Sequence, residues 1–314
     1  MKARQSHWSR LSERGSLLGL RIVCFCFRLF GYHLAHALLV PVTLYFFVTG
    51  RAARSASQDY LRRLSPHLPE PLRASVQGGR ASFRHMMMFS MFALDRLSAW
   101  TGRLPRPVDF PDLALLEKQL DSGRGAVLIS AHLGNLDMTR ALANLRGFRG
   151  VNAVVFTEHA QRYAAVMAAA NPDFRLNLVA VSSMGADTAV LLKERVEQGE
   201  LVVIVADRTP PAQNGRVVTA PFLGALAEFP MGPFVLASLM ECPVFLFFCL
   251  REQARYRIYL EPFAEQIVLK RSQRQQQLEQ CAARYAQRLE YYCCKAPLQW
   301  FNFFDFWQQT GKTL

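Results

Sequence analysis

From Gly123 onward, short apolar runs alternate with segments of helical periodicity, and this alternation constrains the fold more than any other feature of the sequence. It favours an α/β domain with a mostly parallel central sheet flanked by helices, because each crossover helix returns the chain to the same strand direction. The predicted strands are GAVLIS (125–130), VNAVVF (151–156), LNLVAV (176–181), LVVIVA (201–206), PVFLFFCL (243–250) and YRIYL (256–260). The predicted helices cover 81–100, 137–145, 159–170, 186–198, 233–240 and 273–292.

The N-terminal region adds a hydrophobic helix to this plan. Residues 29–50 contain no Lys, Arg, Asp or Glu, and a helix of that length can span a bilayer. Two histidines and a proline within the segment weaken a full span, and the arginines on both sides give no orientation. We expect residues 1–55 to be a membrane-anchoring helical segment, spanning or half-inserted, and residues 56–314 to be the α/β domain. The alternative is a buried helix of a soluble core.

Charge and cysteine content narrow the possible partners. The net charge is +13, which suits an anionic membrane surface or an acidic protein. The basic residues are scattered and no zinc finger, RNA-recognition signature or basic heptad is present, which disfavours nucleic acid. Seven cysteines without a CxxC pair indicate neither a disulfide framework nor a zinc site, so we expect a reducing environment and no metal.

Polar residues follow two of the predicted strands at the point where each strand ends. His132 comes just after GAVLIS, and Asp207 and Arg208 come just after LVVIVA. In open α/β sheets, ligands bind outside the carboxyl ends of the strands. We therefore expect these two clusters to share one edge of the sheet and to form a site there.

The string HLGNLD (132–137) supplies a candidate base with a carboxylate. A histidine near neutral pKa can accept a proton from an alcohol, and a carboxylate can hold its ring and stabilise the imidazolium. A strand–turn–helix junction can bring Asp137 back beside His132, with Gly134 in the tight turn and Asn135 as the helix cap. Alternatively, Asp137 only complements the helix N-terminus, an effect of about 0.3–1 kcal/mol, and His132 is an ordinary turn residue.

The wider sequence resembles the bacterial lipid A biosynthesis (late) acyltransferase family, within the lysophospholipid acyltransferase superfamily. AHLGNLD (131–137) is similar to its H-x4-D/E block, and ADRTPPAQNGRVVTAPFLGALAEFPMGPFVLA (206–237) to a later block. PLQWFNFFDFW (297–307), ERGS (13–16) and FRHMMMFS (83–90) extend the likeness over nearly the whole chain. The first block has Asp where the best-studied members have Glu, and this leaves the acceptor lipid open.

The resemblance implies a glycerolipid acyltransferase-like fold and an acyl transfer that needs no cofactor. The acyl chain would pass from an acyl thioester to a hydroxyl of a membrane lipid. The donor would be acyl carrier protein, which the family favours, or acyl-coenzyme A. His132 would be the general base and Asp137 its partner, with no covalent intermediate. The enzyme would work at the cytoplasmic face of the bacterial inner membrane. A non-catalytic lipid-binding protein on this fold and an acyl-thioester hydrolase are the alternatives.

Several further residues are candidates for contact with substrate. Backbone N–H groups near Gly134, or the guanidinium of Arg208, are candidate oxyanion donors. Arg208 alternatively binds an acceptor phosphate or forms a salt bridge with Asp207. For Asn135 we favour capping over substrate contact. The complete set of predicted substrate-binding residues is Gly134, Asn135, Asp207, Arg208, Phe222, Gly224 and Pro230. Of these, Phe222, Gly224 and Pro230 are expected to shape the site wall. The aromatic tail is expected either at the membrane interface or packed on the sheet.

Overall fold

A computed structural model of the protein describes residues 35–100, 106–138, 148–155, 176–180, 186–209 and 216–307. It is a mixed α/β fold. The strands are β1 Val108–Asp109, β2 Val127–Ser130, β3 Val151–Val155, β4 Leu176–Ala180, β5 Leu201–Val205, β6 Val217–Phe222, β7 Ala225–Pro230, β8 Val244–Glu252 and β9 Arg255–Ala264. The α-helices are α1 Ala35–Thr49, α2 Arg51–Leu64, α3 Leu72–Ser75, α4 Gly78–Trp100, α5 Leu113–Asp121, α6 Ala186–Glu197, α7 Gly232–Met240 and α8 Arg274–Lys295, with 3₁₀ turns at Ser65–His67 and Arg271–Gln273.

The central sheet confirms the predicted architecture. Its described strands lie in the order β1-β9-β8-β2-β5-β3-β4, and every pair is parallel except β8 with β9. β2 lies between β5 and β8, and all four of its residues are buried. A parallel strand covered on both faces needs apolar residues on both, which explains why these strands read as unbroken apolar runs.

Helices cover both faces of the sheet. Val127 and Ile129 point into a core formed with α2, α6, α7 and α8, whereas Ala126 and Leu128 point into a second core formed with α4 and α5. The alternation follows from the two-residue period of a strand. The predicted helix over 186–198 is present, and Gly199 follows it at a φ of +85° as its C-terminal stop.

Three parts of the sequence-based plan differ or fall outside the described residues. Of the helix predicted over 137–145, the structure describes a 3₁₀ turn over 136–138, and residues 139–147 lie outside the described residues, as does the helix predicted over 159–170. The antiparallel hairpin of β6 and β7 was not predicted. Its two-residue turn has φ values of +51° at Leu223 and +75° at Gly224, which suit a type I′ turn.

The described part of the N-terminal hydrophobic segment is α1. Ala35 and Leu39 pack with Leu94 of α4, and the Thr43 hydroxyl donates to the Ser90 hydroxyl at 2.8 Å. Within the residues that the structure describes, no single helix is long and apolar enough to cross a membrane; α1 and the following helix to His67 meet those criteria only as a pair bent by 93°. Residues 29–34 of the predicted segment lie outside the described residues.

The entry to β2 depends on a glycine. A Cβ added to Gly125 would lie 1.8 Å from the carbonyl oxygen of Glu200, so Gly125→Ala must move the backbone of β2 away from the start of β5. We expect this substitution to destabilise the protein by about 1–3 kcal/mol, the typical range of steric overpacking. Gly79→Ala, where a Cβ meets nothing within 4 Å, is the control and should leave stability unchanged or raise it by up to ~1 kcal/mol. Thermal unfolding of the two variants measures the difference, and equal melting temperatures would contradict the expectation.

Candidate active site

The pairing of β2 with β5 places His132 beside Asp207. Ser130 is opposite Val205 in the parallel register, and His132 and Asp207 each lie two residues further along. The backbone N–H of His132 donates to Asp207 Oδ2 at 3.0 Å, and its ring Nδ1 lies 2.8 Å from Asp207 Oδ1. The predicted meeting of the two polar clusters at one sheet edge is thus present in the structure.

This contact fixes the protonation of the imidazole. An ionised carboxylate only accepts hydrogen bonds, so Nδ1 of His132 carries the proton and Nε2 is left as the unprotonated nitrogen. Asp207 is fully buried, whereas the side chain of His132 is 36% exposed. Burial lowers the pKa of His132 below its ordinary value, and the positive charge of Arg208 lowers it further, against the opposing effect of Asp207. The ring is therefore neutral at neutral pH.

Asp207 receives two more hydrogen bonds from the C-terminal segment. The indole Nε1 of Trp300 and the amide Nδ2 of Asn302 donate to its Oδ2 at 2.8 and 2.9 Å. Desolvation alone would raise the pKa of Asp207, but the contacts with His132, Arg208 and Trp300 lower it below its ordinary value. The buried carboxylate is consequently ionised and fully surrounded by donors.

Backbone bonds hold this segment across the carboxyl edge of the sheet. The N–H of Phe301 donates to the carbonyl of His132 at 2.8 Å, and the N–H of Gly134 donates to the carbonyl of Gln299 at 2.9 Å. The Gln299 side chain in turn accepts from the N–H of Arg251 and donates to its carbonyl. The segment thereby joins the loop after β2 to the end of β8.

A second histidine forms a hydrogen bond with the backbone of Trp300. His85 of α4 is fully buried, and its Nε2 lies 2.8 Å from the carbonyl of Trp300. Its Nδ1 lies 3.0 Å from the Ser57 hydroxyl, which accepts from Ser82 at 2.9 Å. Desolvation lowers the pKa of His85 to about 4, so it is a neutral ring that donates from Nε2 and accepts at Nδ1. Residues of α2 and α4 thus fix the backbone of Trp300.

Arg208 is bound to the same segment. Its Nε donates to Asn302 Oδ1 at 2.7 Å and a terminal nitrogen donates to the carbonyl of Phe301 at 2.9 Å. Desolvation lowers its pKa to about 10, which still leaves it charged at neutral pH. These bonds position the guanidinium near His132, where its charge acts on the imidazole.

The expected bond between His132 and Asp137 is not formed, and the prediction needs correction. Asp137 Oδ2 instead lies 2.6 Å from Nε of Arg96, on α4. The ring nitrogen that would have faced Asp137 is taken by Asp207. Asp137 lies in the turn after β2, and the 3₁₀ turn of residues 136–138 directs it to Arg96 rather than back to the histidine.

The N–H groups of Gly134 and Asn135 form bonds within the protein. They donate to the carbonyls of Gln299 and Cys249 at 2.9 and 2.8 Å. Gly134 has a φ of +78°, and a Cβ there would lie 2.1 Å from the carbonyl oxygen of Cys249. Asn135 is buried, and its Oδ1 accepts from the N–H of Asp137 at 3.3 Å, which is the favoured capping role.

The three residues predicted to shape the site wall belong to the β6–β7 hairpin. Phe222 is fully buried and packs on Trp300, with ring centroids 5.3 Å apart. Trp300 in turn contacts Asp207. Gly224 is exposed at the hairpin tip, and Pro230 pairs with Val217 at the other end. Phe222 of this set thus contacts the segment that holds Asp207.

The aromatic tail was predicted to lie either at the membrane interface or against the sheet. In the structure it packs on the sheet. Phe301 is buried in the core on the side of α4 and α5. Four further buried side chains of the tail share the other core with the hairpin: Trp300, Phe304, Phe306 and Trp307. Within the described ranges, no group of three or more His, Cys, Asp or Glu residues is arranged to hold a metal ion. Cysteines 242, 249, 281, 293 and 294 are free thiols.

Comparison with known protein families shows the family of the chain. The family model of the bacterial lipid A biosynthesis acyltransferases matches residues 1–309. The chain belongs to this family. No curated protein matches it significantly.

Membership identifies the protein as a bacterial acyltransferase of the lipid A type and implies association with a membrane. The buried carboxylate, the half-exposed histidine and the Trp300–Asn302 segment are therefore features of an acyltransferase, and the sheet edge where they meet is its candidate active site. The resemblance read from the sequence motifs is confirmed over nearly the whole chain.

Three residues of the candidate site were not predicted from the sequence. Trp300 and Asn302 lie in the aromatic tail that was read for its hydrophobicity, although an amide inside an aromatic run is a signal of a buried polar contact. His85 lies in FRHMMMFS, and a histidine within an apolar helix is a similar signal. Asp207 was recognised as a site residue but was given a substrate-binding role rather than a place beside His132.

Titration of His132 tests which carboxylate is its partner. Asp207→Asn should lower the pKa of His132 further, because Asp207 is the carboxylate that raises it against burial and against Arg208. Asp137→Asn should have the smaller effect, because Asp137 is paired with Arg96 and not with the ring. NMR titration of the ring C–H signals measures both variants. A larger decrease for Asp137→Asn would identify Asp137 as the partner.

Proposed function

We propose that this protein is an O-acyltransferase that moves a fatty acyl chain from an acyl thioester to a hydroxyl of a lipid acceptor, with His132 as the general base. The observation that carries the proposal is the bond between Nδ1 of His132 and the buried Asp207, which leaves Nε2 unprotonated on a partly exposed ring. In this proposal Asp207, rather than Asp137, orients the base.

The reaction proceeds by direct transfer. Nε2 of His132 takes the proton of the acceptor hydroxyl as its oxygen attacks the thioester carbonyl. The new C–O bond forms, the C–S bond breaks, and the leaving thiolate receives the proton from the imidazolium. Asp207 stabilises the imidazolium between these two steps, as the carboxylate does in a Ser-His-Asp triad. Each step therefore requires only groups that this chain and the two substrates supply.

The charges around the base fit this role. The pKa of His132 is lowered, so the free base is present at neutral pH and turnover should fall only as the pH drops through that lowered value. Arg208 is the fixed positive charge beside the ring, held by Asn302 and by the carbonyl of Phe301. We assign it to stabilise the negative charge that develops on the carbonyl oxygen, because the N–H groups of Gly134 and Asn135 are already bonded.

Asp137 has an indirect place in this scheme. Its carboxylate neutralises Arg96, which is one of the charges that lower the pKa of His132. Loss of the carboxylate would leave that charge uncompensated near the base. Asp137 thus sets the local charge of the site through Arg96, while Asp207 contacts the ring itself.

A membrane surface and an acidic carrier protein are the proposed partners, with the active site at the cytoplasmic face of the inner membrane. Support comes from the net charge of +13 and from α1, which exposes apolar side chains such as Val42, Tyr45 and Val48. Arg54 binds the carbonyls of Phe47 and Val48 at the end of that helix, next to the apolar face. Apolar side chains beside arginines favour an interface with anionic lipid.

Replacement of the proposed base tests the function. His132→Ala should lower the transfer of labelled acyl chains from acyl carrier protein to bacterial lipid extract by at least ~10³-fold, because both proton transfers are lost. The matched control is His67→Ala, since His67 also faces a carboxylate, Glu290, at 3.4 Å but lies outside the site. The control should retain the turnover of the unmodified protein. Mass spectrometry of the extracted lipids measures the product.

Two outcomes would contradict the proposal. Normal acyl transfer by a folded His132→Ala protein would remove His132 from the reaction. Loss of thioester without an acylated lipid, in the unmodified protein, would show that water and not a lipid hydroxyl is the acceptor.

A further inference from the structure

We propose that Trp300 and Asn302 are positioning residues for the base: their N–H groups fix the rotation of the Asp207 carboxylate, so that Oδ1 alone faces the imidazole of His132. This inference rests on the proposed function, in which His132 is the base. The two residues belong to the C-terminal segment. They contact Asp207, and through Asp207 they act on His132 rather than on substrate.

The distribution of donors on the carboxylate is unequal. Oδ2 accepts three N–H groups, from the backbone of His132, the indole of Trp300 and the amide of Asn302. Oδ1 accepts the ring Nδ1 of His132. Turning the carboxylate out of its present plane would break these bonds in a buried setting, where an unsatisfied charge is costly. The donors on Oδ2 therefore hold Oδ1 against the imidazole.

Each donor is itself held by a different part of the fold. The carbonyl of Trp300 is bound by His85, which Ser57 holds from α2. The Oδ1 of Asn302 accepts from Arg208 at 2.7 Å, so its amide nitrogen is turned towards Asp207. The backbone of Trp300 and the side-chain amide of Asn302 are consequently held before substrate arrives, as preorganisation of a catalytic group requires.

A second tryptophan of the same cluster provides a matched control. Trp307 is also buried, with its ring centroid 6.0 Å from that of Trp300, but its indole N–H donates to the carbonyl of Phe222 at 3.2 Å. Trp→Phe at either position removes one buried N–H and a similar volume from one aromatic cluster. Only the change at position 300 removes a donor from Asp207.

The test compares Trp300→Phe with Trp307→Phe in full-length protein. For Trp300→Phe we expect kcat to fall by ~10- to 100-fold with little change in KM, because a hydrogen bond to a charged group in the catalytic unit is lost. Loss of a donor makes the His132–Asp207 pair hold protons more strongly, so the acidic limb of the pH–rate profile should move to higher pH. For Trp307→Phe both the kcat and the acidic limb should be those of the unmodified protein.

Asn302→Asp is a second variant that tests the same idea with a different chemistry. It keeps an acceptor for Arg208 but places a second carboxylate against Asp207. Two adjacent carboxylates bind protons more strongly, so the acidic limb should move further up than in Trp300→Phe. Should Trp300→Phe fail to fold, this variant still decides the question.

The inference and the proposed function fail in different ways. If His132→Ala is inactive but Trp300→Phe and Asn302→Asp have the kcat and pH profile of Trp307→Phe, the positioning role is wrong and the function stands. If His132→Ala is active, the function is wrong, and NMR titration of His132 still tests the inference without substrate. A titration that is the same in Trp300→Phe, Asn302→Asp and Trp307→Phe would overturn it.

Discussion

The buried carboxylate of Asp207 is the group on which the site depends. An ionised carboxylate without exposure is tolerated in a protein interior only when donors replace its water shell, and here they come from the loop after β2 and from the C-terminal segment. The rest follows from this requirement: the segment must cross the sheet edge, and the aromatic cluster around Trp300 must exclude water. The ring of His132 remains partly exposed because it lies at the rim of this assembly.

The fold brings these groups together through strand register rather than through proximity in the sequence. His132 and Asp207 are 75 positions apart, yet each lies two residues beyond a register pair of adjacent parallel strands. The C-terminal segment then adds backbone bonds to the same loop, and α2 and α4 hold it through Ser57 and His85. The site is thus assembled from distant parts of the chain.

Much of the fold could be predicted from the sequence, because buried parallel strands carry unbroken apolar runs and the intervening helices carry clear periodicity. The site was predicted only in part. His132 and Asp207 were placed at the same edge, but Asp137 was chosen as the partner because it is close in sequence, whereas the register that decides the pairing is a property of the assembled sheet. The β6–β7 hairpin and the donors from Trp300 and Asn302 depend on tertiary contacts, and nothing in local periodicity specifies these.

The tautomer of His132 shows directly whether Asp207 orients this imidazole as a base. Long-range ¹⁵N–¹H correlation spectra of histidine-labelled protein at neutral pH separate protonated from unprotonated ring nitrogens, and His132→Gln assigns the signal. We expect Nδ1 to be protonated towards Asp207 and Nε2 to be unprotonated. A protonated Nε2 with an unprotonated Nδ1 would contradict this, because Asp207 would then not orient the ring as a base.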